Sequence, residues 1–509
     1  MTAQAQNHDA AANLLTARRL GIDTHHEAVA FMRKDCHVCR SEGFSAHARI
    51  RLSHEGRSII VTLYQVTSEL LRAGEAGLSE SVWRMLQLEE GDVISVSHPQ
   101  PLNSLSLVRG KVYGHPLDAN AFRHIMTDVT AGRYSDIHLA AFVTACTARP
   151  LDIAEIVALT RVMVDAGDTL TWGTAPIVDK HCVGGLPGNR TSPIVVAIAA
   201  ASGLTMPKTS SRAITSPAGT ADTMETLAPV DLDITSMRRV VEREGGCIVW
   251  GGAVRLSPAD EMLVRVERAI DLDGEGQLVA SVLSKKIAAG STHLVLDLPV
   301  GPTAKIRSSE AGAALSEALR TVARSFGLDA RTLLTDGTQP VGRGIGPSLE
   351  ARDVLAVLQR APEAPEDLRE RAVELAGALL ELGGAVPGGA GRAAAVACLD
   401  DGRAWTKFQR ICEAQGGLRE PPVASFNRPI VARQAGRIAV IDNRRIARVA
   451  KLAGAPDDKA AGVELHARLG ATIEAGQPLY TIHAESSGQL AYASEFALAN
   501  HDPIEVRQP

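Results

Sequence analysis

Residues 180–227, KHCVGGLPGNRTSPIVVAIAAASGLTMPKTSSRAITSPAGTADTMETL, decide how this chain is read. They spell a glycine-rich loop, an apolar helix, a short apolar strand and a second loop of small residues. Glycines let a backbone approach a ligand, and the helix that follows offers unpaired N–H groups to an anion. In the first loop, Asp179 to Ser192, Lys180 and Arg190 add charge while Thr191 and Ser192 add hydroxyls. The second loop, Ser210 to Asp222, gathers hydroxyls around Arg212 in the same way. Each loop alone also reads as an ordinary turn; the pair, so close in sequence, points to one small anion. The GxxxxGK[ST] spacing of a P-loop is absent.

Working outward, APIVDK, the helix after Arg190, TMPKT, CIVWGG, THLVLDLPVG and DARTLLTD alternate strand with helix. That is the pattern of an α/β domain with a largely parallel or mixed sheet, over 175–257 and 291–424. Residues 102–174 carry apolar side chains at helical spacing, with Asp136 and Asp152 as expected N-caps and Gly167 as a stop. Together with helical residues 258–290 they form an expected helical domain. Residues 20–101 alternate as strands (AVAFM, ARIRL, SIIVTLYQV, GDVISVS) around one helix, SESVWRMLQL. They predict a β-barrel-like N-terminal domain, preceded by a disordered stretch over 1–19. Beyond 425, the short runs GRIAVID, GVELHAR, QPLYTIHAE and GQLAYA predict a β-rich C-terminal subdomain of α+β type. The whole is a multidomain α/β protein.

Composition narrows the function. A chain of 509 residues exceeds one core and implies about two to four domains. Aromatics are 3% and the net charge is −5, which argues against a nucleic-acid polymer as partner. The longest apolar run, around Ile194 to Ala201, is short of the roughly 18–20 residues that span a bilayer. The N-terminus lacks a signal-peptide pattern. Seven scattered cysteines fit reduced thiols and a cytoplasmic location. Cys36-His37-Val38-Cys39, with His25 and His26 upstream, looks like half a zinc site between strands. Without a matching pair it reads as ordinary thiols, and no metal is expected. Ser281 and Lys285, four apart, share a helix face that is either functional or merely solvated. Asp271 and Asp273 read, on composition, as a solvated turn.

The ordered motifs resemble the thymidine phosphorylase family. Ser210, Arg212, Gly219, Thr220, Asp222 and Glu225 match its S-x-R…G-T-x-D-x-x-E pattern. SPAD (Ser257–Asp260), ASVLSKK (Ala280–Lys286) and LDLPVGPTAK (Leu296–Lys305) follow in order. GGLPGN, SRAITSPAGTAD, PVGPTAK and GIGPSLEARDVL are similar to the AMP phosphorylase branch, which also carries an N-terminal β domain. Cys182 stands where the pyrimidine enzymes have serine, and Val266 aligns with their carbonyl-gripping arginine, with Arg265 and Arg268 nearby.

The resemblance implies that Gly185, Ser211, Arg212, Ala213, Ile214, Thr215, Ser216, Thr220, Ser281 and Lys305 contact a nucleotide. It implies Lys285 as a base contact, Lys180, Ser192, Ser210 and Thr220 as phosphate contacts, and Asp273 as proton donor. The expected activity is phosphorolysis of a nucleoside 5′-monophosphate to free base and ribose 1,5-bisphosphate. Arg212 and Lys305 are the expected 5′-phosphate cations. The runner-up is a thymidine or other nucleoside phosphorylase, and the third reading is a non-catalytic nucleotide-binding assembly protein. Inorganic phosphate is the expected co-substrate, with no cofactor. A homodimer or larger homo-oligomer through the helical domain is implied.

Overall fold

The computed structural model describes residues 13–25, 27–173, 175–213, 216–272, 274–499 and 503–508. Ile214, Thr215 and Asp273, all singled out above, lie outside the described residues. The chain divides into two units, Met1–Leu107 with Thr127–His138, and Val108–Met126 with Leu139–Pro509.

In the first unit six strands close into a barrel in the order β1-β5-β2-β4-β3-β6. They are β1 (Leu14–Arg19), β2 (Val29–Arg33), β3 (Arg49–His54), β4 (Arg57–Val66), β5 (Glu75–Leu78) and β6 (Val93–Ser97). Period-two patterning fills the interior, with Leu15 and Ala17, Ile50 and Leu52, Val61 and Leu63, and Ile94 and Val96 all buried. Strand β1 corrects the expectation of a disordered 1–19. Its two inward residues are too few to stand out in an alanine-rich sequence, and its pairing with β5 and β6 is long-range. Helices α1 (His37–Glu42) and α2 (Glu80–Leu86) complete the unit. The cysteine pair lies between β2 and β3, as read, but at a helix: Cys36 is the N-cap of α1 and accepts from Cys39 N at 3.3 Å. Among the described residues, no group of three or more His, Cys, Asp and Glu side chains is placed to hold a metal ion.

Four helices follow: α3 (Leu105–Val112), α4 (Ala119–Thr130), α5 (Asp136–Ala148) and α6 (Ile153–Asp165). Asp152 caps α6 in a full capping box with Glu155. Asp136 is instead the first residue inside α5, and Ser135 accepts from His138 N in the capping position. Glu155 also holds the buried Lys111 Nζ of α3 at 2.7 and 2.9 Å and accepts from Leu117 N. Later in the chain, α10 (Pro258–Ile270) and α11 (Glu275–Ala288) return to this region, where α11 packs on α6.

The centre of the second unit is a parallel sheet of β7 (Val178–Cys182), β8 (Met206–Ser210), β9 (Gly246–Trp250), β10 (His293–Val300) and β11 (Asp329–Asp336). Strand β10 pairs in parallel with β11 and β7, and β8 pairs in parallel with β9. The bridge Ile177–Thr205 sets β8 beside β7, with Val178 N donating to Thr205 O at 2.9 Å. The order is therefore β11-β10-β7-β8-β9. Every pairing in it is parallel, which settles the choice between a parallel and a mixed sheet; each link is a helical crossover. The chain runs outward from β7 to β9 and then restarts on the other side at β10. Loops after β7 and β10 thus diverge at the carboxyl edge, where such sheets bind ligands.

Helix α7 (Ser192–Ala201) joins β7 to β8, and its residues from Ser192 to Ala200 are all buried. Helices α8 (Thr220–Glu225) and α9 (Ile234–Glu244) lie between β8 and β9, and α12 (Ser309–Arg324) joins β10 to β11. Helix α13 (Pro347–Gln359) follows the two-residue strand β12 (Gly344–Ile345). Then come α14 (Glu366–Leu382), α15 (Gly391–Asp400) and α16 (Arg403–Gln415). Helix α7 lies beneath α14 and α16, which explains its lack of a polar face. Strand β12 pairs with Gly462–Leu465, extending a C-terminal sheet into this domain. The C-terminal subdomain also contains helices Asn443–Leu452 and Ser487–Ala499. The second replaces the strand expected at GQLAYA: a few residues of alternation lie inside a longer alanine-rich helix. Among the described residues no helix is long and apolar enough to cross a membrane.

Replacing Glu155 by Ala strands the Lys111 ammonium in the interior, a loss of about 3–5 kcal/mol. The first urea transition should shift to lower denaturant, and the Lys111→Met/Glu155→Leu double variant should recover most of the loss.

Candidate active site

Lys180 lies near the carboxyl end of β7, 1% exposed, and its Nζ donates to Thr191 Oγ1 at 2.6 Å. An ammonium has three protons to donate, and no carboxylate lies within ion-pair distance of this one among the described residues. Burial, with Arg190 and Arg371 nearby, lowers its pKa, while Cys182 and Asp297 oppose the shift. Cys182, on the same face of the strand, is pushed up to about 12 by burial and by Asp297, and is therefore a neutral thiol. Asn189 bridges this pair, donating to Asp297 Oδ2 at 3.1 Å and to Cys182 Sγ at 3.2 Å. Thr335 donates to the other oxygen of Asp297 at 2.6 Å.

The first loop is shaped by close approach. Gly185 has φ +78°, and a Cβ there would fall 2.7 Å from both the backbone N and the Cβ of Lys305. Gly188 has φ +70° and would drive a Cβ to 2.0 Å from Val341 O. The expected substrate contacts Gly185 and Lys305 thus meet where the loops after β7 and β10 diverge.

Arg190 ties the two loops together. Its Nη1 donates to Thr220 Oγ1 at 2.7 Å, its Nη2 to Ala218 O at 2.8 Å, and its Nε to Glu350 Oε2 at 2.6 Å. Burial raises the pKa of Glu350 to about 7, against the pull of Arg190. Ser210, at the end of β8, has a buried hydroxyl without a hydrogen-bond partner among the described residues, and Ser192 opens α7, buried. Ala213 N and Gly219 N both donate to Asp222 Oδ2, at 2.6 and 2.9 Å, which closes the second loop onto α8. A Cβ at Gly219 would sit 2.5 Å from Ser211 O. Ser216 donates to Ala218 O within this loop.

Arg212 is held differently from the way the sequence suggests. Both terminal nitrogens reach Glu225 at 2.8 Å, Nη1 also reaches Asp222 at 3.3 Å, and the guanidinium lies 4.9 Å from the Trp250 ring centroid. Lys459, from the C-terminal subdomain, faces the same carboxylates at 2.9 and 3.5 Å. Arg212 and Lys459 hold the Glu225 carboxyl at about 2.

On α11, Lys285 Nζ donates to Ser281 Oγ at 3.1 Å and to the buried Asp260 of the SPAD motif at 2.7 Å. The pair is therefore a built feature and not a solvated helix end. Asp273 precedes this helix, outside the described residues. Val266 is buried on α10. His181, next to Lys180, titrates well below its usual range, because it is desolvated and Lys286, Lys208, Lys285 and Lys180 all repel a proton. It is a neutral imidazole in a lysine-rich surrounding.

Asn189, Asp297 and Glu350 stand inside quoted motifs but were given no role, and Lys459 had no signal at the sequence level. Each acts across 108 or more residues of chain, or reaches the site from another subdomain. His181 stood within the quoted motif, but its environment depends on α11 and β8.

Three family models match this chain. A glycosyl transferase family helical bundle domain covers residues 105–167, and a glycosyl transferase family a/b domain covers 174–405. A pyrimidine nucleoside phosphorylase C-terminal domain covers 437–501. A "Putative thymidine phosphorylase" of Polaromonas sp. is 60% identical over 492 residues, 97% of this chain and 96% of its own. "Putative thymidine phosphorylase 1" of Acidovorax sp. is 62% identical over 482 residues, 95% and 94% of the two chains. A like-named protein of Legionella pneumophila is 60% identical over 490 residues, 96% and 95%. The solved anthranilate phosphoribosyltransferase of Thermus thermophilus aligns over 60% of this chain and 98% of its own, at 23% identity and a TM-score of 0.49. The helical bundle, the α/β domain and near full-length identity of this degree place the chain in the thymidine phosphorylase family, and it is a pentosyltransferase of the phosphorylase type.

Proposed function

We propose that the chain cleaves a nucleoside by phosphorolysis, and one observation carries the reading: the buried Lys180 ammonium, which has no carboxylate partner among the described residues. An uncompensated charge at that depth is costly unless an anion joins it. The orphaned hydroxyl of Ser210 and the hydroxyls of Thr191 and Ser192 suit the same anion. Inorganic phosphate held there attacks C1′ of the pentose; the C1′–N bond breaks, and its electron pair leaves with the base. Lys285 and Ser281 stabilise the departing base, and Asp273 is the proposed proton donor where a ring nitrogen must be protonated. No cofactor enters, and the free cysteines suit a cytoplasmic enzyme.

The relatives' name favours thymidine over the 5′-monophosphate expected from the motifs. The balance of charge supports that preference, since Arg212 and Lys459 are matched by Asp222 and Glu225 and do not call for a second dianion. The monophosphate reading keeps two observations of its own. Lys305 sits at Gly185, and the buried Val266 offers a pyrimidine carbonyl no hydrogen bond. A phosphate-dependent assay across thymidine, uridine, adenosine, AMP, CMP and UMP decides between them. Thymidine should turn over fastest; turnover of AMP without thymidine sinks this preference, and turnover of none sinks phosphorolysis.

Lys180→Met should lower kcat/KM for phosphate by about 10²–10³-fold while leaving the melting temperature unchanged or higher. A fall in both would show a structural lysine. The lowered pKa of Lys180 sets the sign with pH: the ammonium is lost at lower pH than an ordinary lysine loses it. Phosphate KM should therefore rise on the alkaline side, and Lys180→Arg should flatten that rise.

A homodimer completes the proposal. Val112, Ala140, Ala141, Thr144 and Ala148 line a shallow apolar groove on the helices, with Val112 half exposed beside a fully presented Tyr113. Light scattering should give a dimer for the parent chain and a monomer for Ala141→Glu; a monomeric parent refutes it.

A further inference from the structure

Asp179 precedes Lys180 on β7 and, by strand alternation, faces the opposite side of the sheet. There it meets two ammonium groups. Lys208 Nζ of β8 lies 3.2 Å from Oδ1, and Lys286 Nζ of α11 lies 2.8 Å from Oδ2. The three residues are 1%, 3% and 2% exposed in that order: Asp179, Lys208, Lys286. Asp179 Oδ1 also accepts from Lys180 N at 2.7 Å, and Lys208 donates to Thr209 O at 2.9 Å. Two buried cations therefore share one carboxylate. An apolar cluster of the same volume would hold the domain at least as firmly, so stability does not account for the arrangement.

Its placement does. The three side chains come from the three elements whose neighbouring residues this reading places at the substrate: β7 with Lys180, β8 with Ser210, and α11 with Ser281 and Lys285. Lys286 adjoins Lys285, and Asp179 adjoins Lys180. The Lys286–Asp179 contact is thus a direct tie between the helix carrying the base-side groups and the strand carrying the phosphate-side groups. Burial keeps water from competing for it.

We propose that the Lys208–Asp179–Lys286 cluster is a positioning device that sets α11 against β7 and β8, so that attacking phosphate and departing base align on one anomeric carbon. It rests on the phosphorolysis reading above. A misplacement of about 1 Å in such a constellation costs on the order of 10²-fold in rate.

The test uses the full chain with Lys286→Met, which leaves Asp179 paired with Lys208 and lowers the buried positive excess. The melting temperature should hold or rise, and phosphate KM should stay near the parent value because its cradle is untouched. The value of kcat should fall by about 30–100-fold, and amide hydrogen exchange should quicken along Glu275–Ala288 but not along Val178–Cys182. Lys286→Arg, which keeps the ion pair, should restore much of kcat and the slow exchange. Full activity in Lys286→Met overturns the proposal, as does a loss of kcat accompanied by a lower melting temperature and weaker phosphate binding. A parent chain inactive on all six substrates overturns phosphorolysis itself, a result distinct from an active parent with an equally active variant.

Discussion

A lysine ammonium enclosed at the end of a central strand, with one hydroxyl and no carboxylate against it among the described residues, constrains everything around it. Such a group survives only if the fold forces it there and a ligand relieves it. Here the forcing comes from topology. Strand β7 is flanked on both sides by parallel neighbours, so the residues near its carboxyl end must point either under α7 or toward α11. Lys180 takes the first direction and Asp179 the second. The diverging loops after β7 and β10 open the crevice into which the ammonium can present its remaining protons.

Several other cations of the site are already answered, and that contrast sets Lys180 apart. Arg190 is neutralised by Glu350 and serves to join the two loops through Thr220 and Ala218. Arg212 and Lys459 share Glu225 and Asp222, and Lys285 is matched by Asp260. Lys180, on one face of β7, has no carboxylate within ion-pair distance among the described residues, while on the other face Lys208 and Lys286 share Asp179. His181, on the Asp179 face by strand alternation, is held neutral by burial and by the surrounding lysines. A neutral imidazole can accept or donate a hydrogen bond beside an anion without adding to its charge.

Much of this was legible in the sequence, for identifiable reasons. The glycine loop, the wholly apolar helix and the strand–helix alternation are local patterns, and local patterns survive without tertiary context. The shared helix face of Ser281 and Lys285 followed from their four-residue spacing and is present in the structure, whereas the close approach of Gly185 to Lys305 was not foreseen. What was not legible depends on distance along the chain. Strand β1 shows only two inward residues and is defined by partners about sixty and eighty residues away. Lys459 reaches α8 because β12 pairs with Gly462–Leu465, a contact that no window of sequence contains. The GQLAYA stretch failed for a different reason: a short alternation fits either period until its neighbours decide.

Substrate choice turns on the second loop. Arg212 looked like a phosphate-gripping residue because it stands alone among hydroxyls in sequence. In the fold it is clamped by a bidentate carboxylate, stacked near Trp250, and joined by Lys459 on the same anions. A 5′-phosphate placed there would have to displace Glu225 or lie beside two carboxylates, and either arrangement works against binding. The clamp instead makes the loop rigid: Asp222 fastens Ala213 and Gly219 while Arg190 fastens Thr220. Rigidity in that loop favours holding one phosphate and one sugar in register, where the gain appears in the transition state. The same sequence feature that suggested a nucleotide therefore fits, once its partners are seen, a substrate that carries no phosphate of its own, the attacking phosphate being the separate co-substrate.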